Sequence, residues 1–379
     1  MNNIHHSICG VIPPHMLEQL VASTDPQCRK TIVATMERTD ELRLQREAAS
    51  AHGANTSPTP QRYRVYDARH RYKLPGHLVT DETRSAIVDI EVQEALSGAA
   101  ATHDFYQSVF GRASIDGNGL TIDSSVHYGT HFDNAVWDGT RMVYGDGDGR
   151  YFNRFTIAVD VIGHELTHGV TEYASNLGYS GQTGALNEHL SDAFGIMVKQ
   201  YALKLKARDS DWLIGAGLLA EGVKGVAVRS MKAPGTAYND PVIGRDPQPA
   251  HMRDYVNTRA DNGGVHVNSG IPNHAFYLAA TAVGGYTWES VGAVWYGALT
   301  SRVRYDAHFH DFANATVAEA TELFAENPTV PRAIANAWAA VGVPVTRPLA
   351  SRRFASGGKW DSQPYARTKV LQQSTKKGN

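Results

Sequence analysis

The stretch that decides the fold is Ile157 to Ala174, IAVDVIGHELTHGVTEYA, which holds His164-Glu165-Leu166-Thr167-His168. Its apolar residues recur at helical spacing. On a helix, positions i and i+4 share a face. His164 and His168 can therefore each aim an imidazole nitrogen at one ion about 2.0–2.1 Å away. Glu165 sits one residue on, roughly 100° around the axis, where it flanks that ion and can accept a proton from water held there. The pattern is that of a helix built around a catalytic zinc. For these five residues alone, two partly buried histidines on an amphipathic helix are the bland alternative.

The next helical stretch narrows the choice. Glu188 stands in GALNEHLSD, 184–192, far enough downstream for a helix, a loop and a return. A carboxylate from there can be a third ligand, and two histidines with one glutamate leave a position open for water, as catalytic rather than closed structural zinc sites do. Asp192, one turn past Glu188, and the adjacent Asn187 can hold the outer nitrogens of the two histidines. Taken singly, both read more simply as polar helix residues.

The rest of the chain excludes several classes. Its 379 residues carry a formal net charge of −2, which points to neither nucleic acid nor an anionic membrane. No apolar run is long enough to cross a bilayer. The two cysteines, Cys9 and Cys28, stand near the N-terminus, so the remainder has no internal disulfide. Residues 1–50 show helical spacing broken at Asp25–Pro26 and read as a small, removable unit. Residues 51–61, AHGANTSPTPQ, read as a linker open to proteolytic maturation. Residues 62–155 mix short strands (TIDSSVHYG, RMVYG) with turns and one helix ending at Gly111. From 156 to 347 helices are expected over 157–174, 185–206, 269–283, 288–304, 309–325 and 330–341, with a Gly/Pro-rich excursion at 230–264. Residues 348–379 form a basic tail with few apolar groups.

HELTH followed by GALNE and SD resembles the thermolysin family of zinc endopeptidases. So do SSVHYG (124–129), NAVWDG (134–139), MVYGDGDG (142–149) and DNGGVHVNSGIPNHAFY (261–277). The likeness spans roughly 62 to 345, and IPPHML at 12–17 resembles the short pro-segment of the protealysin subgroup. The resemblance implies an α+β, two-lobed fold: a β-rich N-terminal lobe, a helical C-terminal lobe and the zinc helix along the cleft between them. It implies His164, His168 and Glu188 as ligands of one zinc ion and Glu165 as general base. His266 and Tyr179 would be oxyanion donors, with Asp261 orienting His266. Asn134 and the Ala135 carbonyl would contact substrate backbone, and Arg229 would grip the carbonyl beyond the scissile bond. Phe152, Phe155, Val161 and Val228 match the pocket for the following side chain, so an apolar residue is expected there, with broad selectivity.

Where the family holds a double calcium site, Asp160 and Asp211 match, but Lys199, Leu213 and Ala216 replace expected acids. An ammonium cannot ligate a hard cation. The double site is therefore expected to be absent, with Lys199 paired to Asp160, and calcium elsewhere stays open. GDGDG at 145–149 reads as a plain turn near the cleft. For Cys9 there are two readings: a thiolate cap on the zinc, or a buried inert cysteine beside the Pro-Pro motif, which its residue type favours. The partners expected are protein or peptide substrates and the chain's own pro-segment as intramolecular inhibitor, on a monomer. The family is mostly extracellular, yet Met1 to Gly10, MNNIHHSICG, lacks a signal-peptide pattern, so secretion by another route stands against a cytoplasmic alternative. The competing functions are a zinc-binding scaffold, against which Glu165, His266 and Tyr179 together argue, and an aminopeptidase, for which no amine-binding motif is visible.

Overall fold

A computed structural model of the protein describes residues 10–50, 61–81 and 88–346. Cys9, nearly all of the linker and the tail from 348 lie outside the described residues. The chain opens with α1 (Pro14–Ser23) and α2 (Pro26–Ser50). Pro14 is tolerated because the first helical turn has no partner for its missing N–H. The break between the two helices is chemical. The Thr24 amide and hydroxyl both reach Leu20 O, and Asp25 Oδ1 accepts the amides of Gln27 and Cys28 at 3.0 and 3.1 Å.

The N-terminal lobe holds β1 (Tyr63–Asp67), β2 (His77–Asp81), α3 (Ile90–Phe110), β3 (Ile122–Val126), β4 (Ala135–Trp137) and β5 (Arg141–Tyr144). The strands form one sheet in the order β2-β1-β3-β5-β4, with β1–β3 and β3–β5 parallel and the two outer pairs antiparallel. β4 is thus an edge strand, and an unpaired edge is a template for another chain segment. Here Gly10 supplies it, bridging antiparallel to Val136.

The C-terminal lobe begins with α4 (Val159–Ala174) and α5 (Gly181–Leu203), then a short ribbon of β6 (Leu213–Ile214) and β7 (Arg229–Ser230). It ends with α6 (Asp261–Asn268), α7 (Gly270–Val283), α8 (Val291–Ser301), α9 (Phe309–Leu323) and α10 (Thr329–Ala340). Trp295 of α8 and Trp338 of α10 stack at 6.0 Å in this lobe's core. Several boundaries differ from the periodicity, and two have a clear local cause. The helix expected over 288–304 starts only at Val291, because Ser290 (φ −129°, ψ −91°) ends a 3₁₀ turn at Thr287–Glu289. The Gly/Pro-rich excursion ends early: α6 begins at Asp261, with Asn262, Gly263 and Gly264 in left-handed conformation inside it. Among the described residues, no helix is long and apolar enough to cross a membrane.

Helix α4 is buried without interruption from Asp160 to Thr171, so it lies inside the molecule rather than on it. Glycines set how closely α5 approaches. A Cβ on Gly195 would stand 2.4 Å from Asp160 O and 3.0 Å from His164 N, and one on Gly163 would stand 3.2 Å from the Gly195 Cα. These neighbours are mostly backbone and cannot swing aside. Gly195→Ala should therefore push α5 off α4, costing about 1–3 kcal/mol as overpacking does. It should also speed loss of bound metal to a chelator. Thermal unfolding and chelator-competition rates check this; values equal to wild type would contradict it.

Candidate metal centre and cleft

Three side chains meet between α4 and α5. His164 Nε2 and His168 Nε2 are 3.1 Å apart, and Glu188 Oε2 and Oε1 lie 3.5 and 3.4 Å from them. All three residues are buried. Their outer atoms are fixed. His164 Nδ1 is 2.8 Å from Asp192 Oδ1, an acceptor-only group when ionised. His168 Nδ1 is 2.9 Å from Asn187 Oδ1, whose amide nitrogen donates to Leu177 O at 3.1 Å. Each Nδ1 therefore carries the proton, assigned from its partners. In the neutral form that a metal ligand must take, the two imidazoles turn their Nε2 lone pairs toward each other. Glu188 Oε2 is buried with no hydrogen-bond partner among the described residues. Two facing lone pairs beside an orphaned carboxylate oxygen fit a cation, and the donor set suits zinc.

Burial would raise the pKa of Glu188, but His266, His168, His164 and Arg229 outweigh it and lower it to about 2. Asp192 is more strongly held. Its Oδ1 accepts from His164 Nδ1 and Arg229 Nη2, both at 2.8 Å; its Oδ2 accepts from Arg229 Nε at 2.9 Å and Asn273 Nδ2 at 2.8 Å. That uses all four lone-pair directions of a carboxylate. Burial opposes ionisation, yet Arg229 and His164 keep the acid well below the usual carboxylate range.

The other expected site residues surround this group. Glu165 is buried, and its Oε2 accepts the Trp137 amide of edge strand β4 at 3.1 Å. Tyr179 donates to Glu188 Oε1 at 2.5 Å, and His266 Nε2 is 3.6 Å from Glu188 Oε2. Asp261 accepts the His266 amide at 2.9 Å and lies 2.6 Å from its Nδ1. Gly263 and Gly264, at φ 90° and 75°, form the turn that folds Asp261 back, a conformation other residues rarely adopt. Burial lowers the His266 pKa, but Asp261 and Glu188 overcome it and raise the value.

Asn134, Ala135 and Arg229 are all bonded to the N-terminal segment. The Val11 amide donates to Ala135 O at 3.2 Å, the Ile12 amide to Asn134 Oδ1 at 3.2 Å, and Arg229 Nη1 to Val11 O at 3.1 Å. Gly10 lies so near that a Cβ on it would fall 2.3 Å from Asn134 Nδ2.

Comparison with known proteins gives this arrangement its place. A family model described as thermolysin metallopeptidase, catalytic domain, matches residues 32–172, and one described as its alpha-helical domain matches 175–343. The chain is 47% identical to an extracellular metalloprotease of Pectobacterium carotovorum subsp. carotovorum, over 89% of this chain and 97% of that one. It is 44% identical to the protease PrtS of a Photorhabdus strain, over 89% and 92%. The structure of the precursor of protealysin, a metalloproteinase from Serratia proteamaculans, superposes with a TM-score of 0.81 at 47% identity, covering 88% of this chain and 99% of that one. The chain belongs to the thermolysin family of metallopeptidases. It is a peptide-bond hydrolase of the protealysin-like kind, and the family implies zinc.

In this thermolysin-family chain Phe152, Phe155, Val161 and Val228 are all buried in the main core, with Val11 and Ile12 in the same cluster. Lys199 Nζ lies 3.0 Å from Asp160 and 2.9 Å from Asp211, and also donates to Leu213 O at 3.2 Å. Sequence reasoning passed over three groups. Ser191 Oγ lies 3.1 Å from His168 Nδ1, Asn273 bridges Asp192 and His189, and the Trp137 amide holds Glu165. Ser191 stands one turn beyond Glu188 and could have been found by the spacing that found Asp192. The Trp137 contact is backbone and leaves no side-chain signal.

Asp192→Asn removes a charge from a buried pair. It should lower stability by about 3–5 kcal/mol by leaving Arg229 uncompensated. Zinc affinity should fall about 10–100-fold, the usual effect of losing a histidine's outer partner. Denaturant unfolding and zinc dialysis read the two effects; unchanged zinc affinity would contradict the coupling.

Proposed function

We propose that this chain is a zinc-dependent endopeptidase made as a latent precursor, cutting internal peptide bonds ahead of an apolar residue. The observation that carries this reading is the seating of Gly10–Ile12. It lies antiparallel on the edge of β4 and satisfies Ala135 O, Asn134 Oδ1 and Arg229 together, as an extended substrate would. The His15 side chain adds a hold on the helical lobe, with Nε2 2.9 Å from Tyr238 OH. The pro-segment thereby blocks the cleft by mimicking a substrate.

His164, His168 and Glu188 would hold the zinc, with Asp192 and Asn187 orienting the histidines. Zinc held there would supply Lewis acidity, which lowers the pKa of a water to about 7. Glu165, anchored through Oε2 by the Trp137 amide, takes the water's proton and passes it to the leaving amine. His266, whose raised pKa favours the doubly protonated ring, and Tyr179 donate to the oxyanion. Arg229, locked to Asp192 through two nitrogens, presents its third to the substrate carbonyl. Phe152, Phe155, Val161 and Val228 supply the apolar wall for the residue after the cut.

We assign residues 1–50 as the pro-segment, 51–61 as the maturation linker, 62–155 and 156–347 as the catalytic lobes, and 348–379 as a tail outside them. Relatives named as extracellular support export of the enzyme, which we assign as a monomer. Where the family's double calcium site would lie, the Lys199 ammonium between Asp160 and Asp211 substitutes for cation charge. Two calcium ions found there by anomalous scattering would contradict this.

The test is a digest of an unstructured protein by the chain before and after removal of its first fifty-odd residues. Internal cuts before apolar residues should appear on removal and vanish with a zinc chelator. Glu165→Ala should lower turnover by about 10²–10⁴-fold, as loss of general-base catalysis does. Trimming from one terminus would replace the endopeptidase reading. Absence of any cleavage in the trimmed chain would favour a zinc-binding scaffold.

A further inference from the structure

GDGDG at 145–149 is more than a turn. Asp148 does shape one: its Oδ1 accepts the amides of Arg150, Tyr151 and Phe152 at 2.9, 2.7 and 3.1 Å. Asp146 instead faces two imidazoles. His127 Nδ1 lies 2.9 and 3.0 Å from its two oxygens, and His70 Nδ1 lies 3.2 Å from Oδ2. The ligand atoms of His70, His127 and Asp146 all lie within 4.8 Å of one another. The far nitrogen of His127 is 3.0 Å from Asp89 Oδ2, while Asp89 Oδ1 caps α3 through the Val92 amide at 3.2 Å. Glu91 stands in the same group. Three carboxylates thus surround one imidazole, and among the described residues the ion pairs of Asp146 are with these histidines alone.

We propose that His70, His127 and Asp146 form a second metal site, for a divalent transition ion of the zinc class. Two imidazoles and a carboxylate are the donors zinc accepts, whereas calcium and magnesium call for oxygen throughout. The outer arrangement matches as well: Asp89 holds His127 Nε2–H, the carboxylate–histidine–metal relay that fixes a ligand's tautomer. Binding exchanges a proton for the ion. The metal takes the Nδ1 lone pairs of both histidines, and the proton that His127 shares with Asp146 leaves to solvent. His70 is 60% exposed, so the site opens outward. It is separate from the cleft ligands, and an ion there would tie together the segments following β1 and β3, the GDGDG turn and, through Asp89, the start of α3.

The test is metal stoichiometry of the full-length chain after dialysis against micromolar free zinc at mildly alkaline pH, read by plasma mass spectrometry. His70→Asn is the informative variant. His70 stands at φ 55°, a backbone conformation asparagine tolerates, and its exposure leaves folding intact. Wild type should bind two equivalents, His70→Asn and Asp146→Asn one each, and His164→Gln should retain the equivalent that His70→Asn loses. The reading is overturned if His70→Asn binds as much zinc as wild type, since the carboxylates would then only hold an imidazolium. A wild type that binds one equivalent, lost in His70→Asn and kept in His164→Gln, would instead count against the cleft ligands and leave this site standing.

Discussion

The Asp192 carboxylate joins more of the molecule than any other group in the cleft. Rooted on α5, it reaches His164 on α4, Arg229 on β7 and Asn273 on α7, and through Arg229 it extends to Val11 of the N-terminal segment. A buried charge is costly unless it is paired and hydrogen-bonded on all sides. Asp192 meets that condition only when these elements are in place together. One carboxylate thus fixes the tautomer of His164 and the direction of the Arg229 guanidinium. His164 and Arg229, proposed to hold metal and substrate, are thus coupled through one carboxylate.

The same economy underlies the latency proposed for the precursor. β4 ends its sheet with open backbone groups, which the cleft needs if extended substrates are to bind. Gly10–Ile12 closes that edge with the groups a substrate would use, so no separate inhibitory surface is required. Glycine at position 10 lets the strand pass close to Asn134. Removing the proposed pro-segment should then leave a formed cleft rather than build one.

What the sequence made legible followed from local geometry. HELTH announces its chemistry because i and i+4 on a helix must share a face, and the Asp25–Pro26 break needs only its own side chains. Glu188, Asn187 and Asp192 were within reach because one spacing rule places them on the return helix. Tyr179, one tyrosine of seventeen, came only through family resemblance. The strand Ala135–Trp137 has all three residues buried and shows no alternation. The pairing of Gly10 with Val136 joins residues far apart in sequence, which periodicity does not carry. His70, His127 and Asp146 were hidden for the same reason: a turn, a strand end and a glycine-rich loop converge only in the fold.

The central claim is that His164, His168 and Glu188 hold the zinc and leave a position for water. X-ray absorption at the zinc edge, on the full-length His70→Asn chain loaded with one equivalent and compared with the His70→Asn, His164→Gln double variant, tests it directly. The account predicts nitrogen and oxygen neighbours only, at about 2.0–2.2 Å, with imidazole scattering beyond. A sulfur neighbour at about 2.3 Å would place a cysteine on the metal and contradict it.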